Sequence, residues 1–186
     1  MRIVGGRLRG RALASPEHDG TRPTSDRVRE SLFNILSHGV ADFEMQGARA
    51  IDLYAGSGAI GIEALSRGAA FCLFVETGAE ARALVRRNVE NFGLTGVTKI
   101  FRRDATDLGP AAQMGRFGLA FLDPPYGLGL AEKALASLKS GGWLSVGAVV
   151  AIEERDGTAL ALPSGFTELD RRSYGDTMIV LARFSS

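Results

Sequence analysis

Cysteine is almost missing from this chain. Cys72 stands alone among 186 residues, which excludes an intramolecular disulfide and fits a reducing, cytoplasmic setting. It lies in the apolar run Phe71-Cys72-Leu73-Phe74-Val75, where a thiol is a small buried hydrophobe rather than a nucleophile. Histidine is nearly as scarce, with His18 and His38 only; together with one cysteine they make no structural zinc site, and no metal is expected. No apolar run approaches the roughly 18 residues of a membrane span. The opening Met1-Arg2-Ile3-Val4-Gly5-Gly6 turns basic and glycine-rich at once, which no signal peptide does. Lysine is short as well. Lys99, Lys133 and Lys139 are the only lysines among 22 basic residues. The arginine that replaces it suits phosphate and base stacking, although a GC-rich genome inflates arginine too.

The net charge of +1 hides an uneven distribution. Residues 1–29 carry Arg2, Arg7, Arg9, Arg11, Arg22, Arg27 and Arg29 against Glu17, Asp19 and Asp26. A basic head on a mildly acidic body is compatible with a nucleic-acid partner without establishing one. With 45% hydrophobic and 23% charged residues, the chain reads as one ordinary globular domain with a real core. From residue 50 onward, strand-like and helix-like segments alternate. Strands are expected at Ala50–Tyr54, Phe71–Val75, Val97–Phe101, Leu119–Leu122 and Trp143–Ile152, and helices to about Arg67, over Ala79–Phe92 and over Leu130–Leu138. Thr167–Tyr174 and Met178–Phe184, split by Gly175-Asp176, read as an antiparallel hairpin. The alternation predicts an α/β fold with a mostly parallel sheet wound on both sides. Residues 1–49 are expected as a basic extension packed on a domain of 50–186. It would hold a small hairpin over Arg2–Ala14, a polar loop over Ser15–Pro23, and a helix capped by Thr24 or Ser25 that runs to about Ser37.

Two motifs carry chemistry. Phe117-Gly118-Leu119-Ala120-Phe121-Leu122 empties into Asp123-Pro124-Pro125-Tyr126. Each proline fixes its own φ, lacks an N–H and restricts its predecessor. The result is a stiff bend with a carboxylate and carbonyls beside an aromatic face, the parts that hold a planar ring bearing an NH2 group. By itself the bend is equally compatible with mere architecture. The second motif, Asp52-Leu53-Tyr54-Ala55-Gly56-Ser57-Gly58-Ala59-Ile60-Gly61, is a G-x-G-x-x-G loop between a strand and a helix, the context of a dinucleotide fingerprint. Asp52 favours a cationic amino group over a pyrophosphate, so the loop Ala55, Gly56, Ser57 and Gly58 suits the methionine end of S-adenosylmethionine; a loop-capping carboxylate is the plainer alternative. Glu76, followed by Thr77, ends the second strand where a carboxylate takes ribose hydroxyls, a device NAD enzymes share. Asp104 and Ala105 end the third strand, where they can meet adenine, although a lone Asp there is commonly a turn former. Three acids on successive strand ends form a stronger signal than any one. A methyl donor beside Asp123-Pro124-Pro125-Tyr126 makes an exocyclic amine the expected acceptor. Asp123 and the Pro124 carbonyl would take its two hydrogens, Tyr126 would stack on the ring, and alignment would supply much of the acceleration.

With both motifs placed, the chain resembles the class I S-adenosylmethionine-dependent methyltransferases that carry a (D/N)-P-P-(Y/F/W) signature. More narrowly it resembles the RsmD family of bacterial 16S rRNA guanine-N2 methyltransferases. The narrower likeness rests on Met1–Gly6 with Arg9-Gly10-Arg11, on Thr21-Arg22-Pro23-Thr24-Ser25-Asp26-Arg27-Val28-Arg29-Glu30-Ser31-Leu32-Phe33-Asn34, and on Glu63-Ala64-Leu65-Ser66-Arg67-Gly68-Ala69. It implies a Rossmann-like fold with a seven-stranded sheet, S-adenosylmethionine as cofactor, and N2-methylation of a guanine of 16S rRNA in a small-subunit particle by a cytoplasmic, monomeric enzyme without metal or membrane. It also gives the arginines work. Arg22, Arg27 and Arg29 would flank the cofactor entrance, with Thr24 also at the RNA, while Arg7, Arg9 and Arg11 would track phosphates; the plainer alternative for Arg29 is an ion pair with a neighbouring acid, and for Arg9 and Arg11 exposed hairpin charge. Two positions depart from the family pattern: Gly118 replaces an expected Asp and should loosen the start of its strand, and Thr77-Gly78 replaces a more polar pair on the ribose side. The competing readings are DNA adenine-N6 methylation, for which the chain lacks a target-recognition domain, an NAD-dependent oxidoreductase, and a non-catalytic assembly factor.

Overall fold

The computed structural model describes residues 1–16 and 25–186. Its centre is one seven-stranded sheet in the order β3-β2-β1-β4-β5-β7-β6. Strands β1 (Arg49–Leu53), β2 (Phe71–Val75), β3 (Thr98–Phe101), β4 (Phe117–Leu122) and β5 (Leu144–Arg155) run parallel. Strands β6 (Phe166–Tyr174) and β7 (Thr177–Phe184) form the expected hairpin, and β7 lies antiparallel to β5. The first four strands are short apolar runs because both of their faces are covered. β5 runs three residues beyond the expected Ile152, through Glu153-Glu154-Arg155. Backbone pairing with Ile179, Met178 and Thr177 of β7 holds that polar end extended. At Gly118 the register between β4 and β5 shifts, so the strand does begin irregularly where the family pattern has a side chain.

Alternation along the strands sends side chains to two separate cores. Ala50, Cys72, Phe74, Leu119, Phe121, Val149, Ala151, Ile179 and Leu181 face one side. There they meet helices α1 (Asp26–His38), α2 (Ala59–Ser66) and α3 (Ala79–Asn91). Ile51, Leu53, Leu73, Val75, Ala120, Leu122, Val150, Ile152 and Val180 face the other, where α4 (Leu130–Ser140) supplies Ala131, Ala134, Leu135 and Leu138. The sheet is therefore wound on both sides, but unevenly. Three helices cover one face; α4 shares the second with Leu108 and Ala111 and with Leu160 and Leu162 from connecting segments. Trp143, at the start of β5, is fully buried there, stacks on Phe117 at 6.1 Å and donates its indole N–H to the Gly109 carbonyl at 2.8 Å. No helix among the described residues is long and apolar enough to cross a membrane.

The N-terminal segment joins the first core directly, through Ile3, Leu8 and Leu13. The hairpin anticipated over Arg2–Ala14 is reduced to one antiparallel bridge, Arg2 with Ala12. It turns through a short 3-10 segment at Gly6–Leu8 rather than a tight two-residue loop. Gly6 has φ 73°, and a Cβ there would stand 2.0 Å from the Ser66 carbonyl, so only glycine lets the turn lie flat on the end of α2. Ser25 caps α1, its hydroxyl accepting from Val28 N at 3.2 Å; the alternative cap Thr24 and most of the Ser15–Pro23 loop lie outside the described residues.

Buried polar side chains on α2 and α3 fasten this segment. The Glu63 carboxylate is inaccessible to solvent and accepts from Val4 N at 2.9 Å, Gly5 N at 2.8 Å and Arg67 Nε at 2.7 Å. Arg29, also fully buried, places Nε 3.7 Å from the same carboxylate and bonds Asp26 at 2.8 Å and the Arg2 carbonyl. Removing one partner from a buried ion pair strands the other charge, at a cost of roughly 3–5 kcal/mol. Glu63→Ala is therefore expected to lower the unfolding free energy by about that amount in urea denaturation. Arg29→Met added to Glu63→Leu should recover part of the loss, since an apolar pair leaves less charge to solvate.

Candidate functional site

Lateral register aligns the carboxyl ends of five strands. Leu53 pairs with Val75 and with Leu122, Val75 pairs with Phe101, and Leu122 pairs with Ile152. The next residues, Tyr54, Glu76, Arg102, Asp123 and Glu153, thus emerge along one edge. Connections run one way from β1 to β2 and β3 and the other way to β4 and β5, so the strand order reverses between β1 and β4. In open α/β sheets a crevice forms at that reversal, outside the carboxyl ends. Asp52 and Asp123 sit on the two strands that bound it.

Asp52 alternates onto the face covered by α2, and its Oδ2 accepts from Gly61 N at 3.0 Å. The carboxylate thus holds the first turn of α2, which is the loop-capping alternative. Gly61 is required for a separate reason: a Cβ there would stand 2.4 Å from the Phe74 ring and 2.6 Å from the Cys72 sulfur, so its lack of a side chain lets α2 press against β2. Asp52 is 3% exposed, and burial raises its pKa to about 8, a rise the Gly61 hydrogen bond opposes and nearby Glu76 reinforces. Glu76 lies at the end of β2 and accepts from Gly56 N at 3.0 Å and Gly78 N at 2.8 Å. It therefore braces the glycine loop and the start of α3 together. Arg82, in the first turn of α3, donates to the carbonyls of Glu76 and Thr77 and fixes that turn from behind.

Asp104 is exposed and uses one oxygen to accept from Thr106 N at 2.8 Å and from the Thr106 hydroxyl at 2.7 Å. Those bonds hold its carboxyl below the usual range. It is a turn former, as an acid at a strand end commonly is, and it remains an anion; Ala105 beside it is buried. Tyr54 follows β1 with φ 61°. Burial, with Asp104 nearby, pushes its phenol up to about 12. Its hydroxyl is buried and has no hydrogen-bond partner among the described residues.

That orphaned hydroxyl is one of two observations that test the cofactor fit. The other is Gly56, where an added Cβ would meet nothing nearer than the Tyr54 carbonyl at 3.9 Å. An open glycine cradle, a donor with nothing to donate to, and acids at 52, 76 and 104 suit a cationic amino acid linked to a nucleoside. The residues present fit S-adenosylmethionine.

Across the crevice, Asp123 N approaches the Leu53 carbonyl at 3.5 Å and Pro124 is buried while Pro125 is exposed. Tyr126 is half-buried. Its hydroxyl donates to Glu153 Oε1 at 2.7 Å and lies 3.3 Å from the Thr177 hydroxyl. Burial raises its pKa, and the carboxylates of Glu153 and Asp123 add to the rise. Gly127 N donates to Glu154 Oε1 at 3.1 Å. Sequence reasoning missed Glu153 and Glu154 because it ended β5 at Ile152; two adjacent acids after an apolar strand were the available signal. Asn88, buried on α3, belongs to neither motif. Asn88 accepts from Ala14 N at 2.8 Å and donates to the carbonyls of Ala14 at 3.0 Å and Ser57 at 2.9 Å, joining the N-terminal segment to the glycine loop.

The expected arginine set divides. Arg7, Arg9, Arg11 and Arg27 are exposed. Arg11 packs its guanidinium 4.5 Å from the Phe92 ring centre and donates to the Asn91 carbonyl at 2.8 Å. Arg29 does not belong with them. It is fully buried and committed to Glu63 and Asp26, so it cannot reach a phosphate. Arg22 and Thr24 lie outside the described residues. Arg7 follows Gly6 beside Ser66, at the end of α2 remote from the carboxyl edge. The exposed arginines of the extension thus start on the far side of the molecule and lead toward the glycine loop at Ala14.

Comparison with known proteins agrees with this geometry. Residues 1–183 match the family model described as conserved hypothetical protein 95. The chain is 38% identical over 156 residues to the ribosomal RNA small subunit methyltransferase D of Escherichia coli strain K12, covering 82% of this chain and 74% of that one. It is 41% identical over 128 residues to the putative rRNA methyltransferase YlbH of Bacillus subtilis strain 168, covering 68% and 67%. The solved structure of the putative methyltransferase yhhF from Escherichia coli superposes with a TM-score of 0.83 at 32% identity, over 100% of this chain and 98% of the other. The sheet order and the helices on both faces are those of a Rossmann-like class I methyltransferase.

Asp52 makes one expectation measurable. Its folded pKa of about 8 stands above the ordinary 3.8 of an aspartate, so between roughly pH 4 and 8 the folded state keeps a proton that the unfolded state releases, and this group makes stability fall as pH rises through that window. Asp52→Asn keeps an oxygen for Gly61 N–H and removes the titration. Urea unfolding at pH 5 and pH 9 should show the variant gaining on the wild type by roughly 3–4 kcal/mol at the higher pH.

Proposed function

The chain belongs to the RsmD family, and on that footing we propose that it transfers a methyl group from S-adenosylmethionine to the exocyclic N2 amine of a guanine in small-subunit ribosomal RNA. The observation that carries this reading is the position of Asp123-Pro124-Pro125-Tyr126: directly after β4, across the strand-order reversal from Asp52 on β1, with Glu76 and the glycine loop on the same edge. Bound S-adenosylmethionine supplies an electrophilic methyl on a sulfonium. The residues of this chain hold and orient the two reactants. Asp52, Glu76, Asp104 and Ala105, with the loop Ala55–Gly58 and Thr77, bind the cofactor, and Tyr54 contributes its unpaired hydroxyl.

An exocyclic amine on a purine is a weak nucleophile because its lone pair is delocalised into the ring. Asp123 and the Pro124 carbonyl accept its two N–H hydrogens and favour a pyramidal nitrogen with the lone pair aimed at the methyl carbon. Held by Asp52, Glu76 and the glycine loop, the cofactor would supply the methyl group to that nitrogen and would itself leave as a neutral thioether. The cationic nitrogen then loses its proton to Asp123 or to water. Tyr126 stacks on the base, which must leave its own stack to reach the crevice. Positioning is the main contribution of the protein.

The exposed Arg7, Arg9, Arg11 and Arg27, joined by Arg22 and Thr24, contact the RNA backbone. With so small a basic extension, the folded small-subunit particle presents the base to a monomeric enzyme in the cytoplasm. Methylation of a guanine rather than an adenine is the part of this reading that depends on family membership. Mapping the modified base in rRNA from cells with and without the gene tests it directly.

Asp123→Ala should abolish transfer of label from radioactive S-adenosylmethionine while leaving cofactor affinity, read by calorimetry, within about threefold of the wild type, since the loss falls on the amine and not on the loop. Undiminished labelling would remove Asp123 from the chemistry. Reversing charge at Arg9 and Arg11 should weaken particle binding and flatten its salt dependence by about one to two units of slope.

A further inference from the structure

The hydroxyl of Tyr126 has no part in stacking, for a phenylalanine ring offers the same face to a base. It is nonetheless the most firmly held atom of the loop. It donates to Glu153 Oε1 at 2.7 Å and lies 3.3 Å from the hydroxyl of Thr177. Both residues are only 8% exposed, and they sit on neighbouring strands, since Arg155 of β5 pairs with Thr177 of β7. The next residue is held as well: Gly127 N donates to Glu154 Oε1 at 3.1 Å, and Glu154 is 2% exposed. Glu153 and Glu154 alternate to opposite faces of β5. The end of that strand therefore grips the loop twice, once by the side chain of residue 126 and once by the backbone of residue 127. An acid pair in this position is otherwise unfavourable, because two buried carboxylates need partners to offset their lost hydration.

We propose that Glu153 is a positioning residue for the acceptor base: through the Tyr126 hydroxyl it fixes the position of the aromatic ring on which the base must stack, while Glu154 holds the adjoining backbone. The inference rests on the function proposed above. It assigns the work of orienting the base to β5 and β7, which carry none of the recognised motif. A ring pinned at its far end keeps one orientation before the base arrives, so less rotational freedom is lost on binding. In this proposal Glu153 acts on the base through Tyr126.

That dependence is what the experiment tests. Glu153→Leu, Glu153→Gln, Tyr126→Phe and the double variant Tyr126→Phe/Glu153→Leu are assayed on small-subunit particles from cells lacking the gene, with cofactor affinity measured by calorimetry. Glu153→Leu and Tyr126→Phe should each raise KM for the particle about five- to tenfold, with affinity for S-adenosylmethionine within about twofold of the wild type. Glu153→Gln, which keeps an acceptor oxygen, should recover most of the loss. The double variant should be no worse than either single one, because each change removes the same contact. Multiplying effects in the double variant, or an unchanged KM in Glu153→Leu, would overturn the proposal.

A second readout needs no turnover. Nitration of Tyr126 by tetranitromethane, mapped by mass spectrometry, should be slow in the wild type and at least severalfold faster in Glu153→Leu. Equal rates would equally overturn it. If the wild-type protein methylates no particle, the functional reading fails while the nitration arm still reports on the anchor.

Discussion

Glu63 is a carboxylate placed where no water can reach it, and a large part of this molecule is arranged around satisfying it. Two backbone N–H groups of the N-terminal segment, the guanidinium of Arg67 one helical turn along, and the buried Arg29 of α1 all converge on its two oxygens. An anion so buried is tolerated only with such company. The constraint is mutual. The N-terminal segment has no sheet to join, so its Val4 and Gly5 N–H groups find in Glu63 the acceptor that a neighbouring strand would otherwise supply. Ser66 repeats the arrangement one turn later, accepting from Leu8 N at 2.9 Å and donating to the Gly5 carbonyl at 2.6 Å. The helix that carries these groups is the one that opens on the glycine loop. Anchoring the extension and shaping the cofactor crevice are thus duties of a single eight-residue helix.

The crevice itself is built by side chains that mostly hold other protein groups. Asp52 restrains Gly61, Glu76 restrains Gly56 and Gly78, Asn88 restrains Ser57, and Glu153 restrains Tyr126. A carboxylate with one oxygen given to a backbone N–H is oriented in advance and still has lone pairs to offer. Binding then orders little that was not already ordered, which is how a site assembled on strand ends and short loops keeps its geometry.

Much of this was legible in the residues because it depends on local pattern. Short apolar runs separated by helical periodicity imply a covered parallel sheet, and acids at 52, 76, 104 and 123 fall at strand ends by count alone. What stayed hidden depends on distance along the chain. Arg29 looks like the other arginines of the head; only the fold reveals that α1 carries it against Glu63, so that a residue expected at the RNA is sealed in the interior. Glu153 and Glu154 looked like the polar flank of a finished strand, because the pairing with β7 that extends β5 past Ile152 is set by residues more than twenty positions later. Asn88 was recognisable as a polar group on an apolar helix face. Nothing near it in the sequence announces that its partners are Ala14 and Ser57.

The clamp at Asn88 also orders events in time. Ala14 and Asn88 are 74 residues apart, and at roughly 5–20 residues per second that gap takes about 4–15 s to synthesise. Throughout that interval the arginine-rich head is already outside the ribosomal tunnel or passing through it, with neither Asn88 nor the rest of α3 yet available to receive it. The most basic stretch of the nascent polypeptide therefore lacks one of its fastenings until α3 has followed it, a polycation emerging from a machine made largely of RNA.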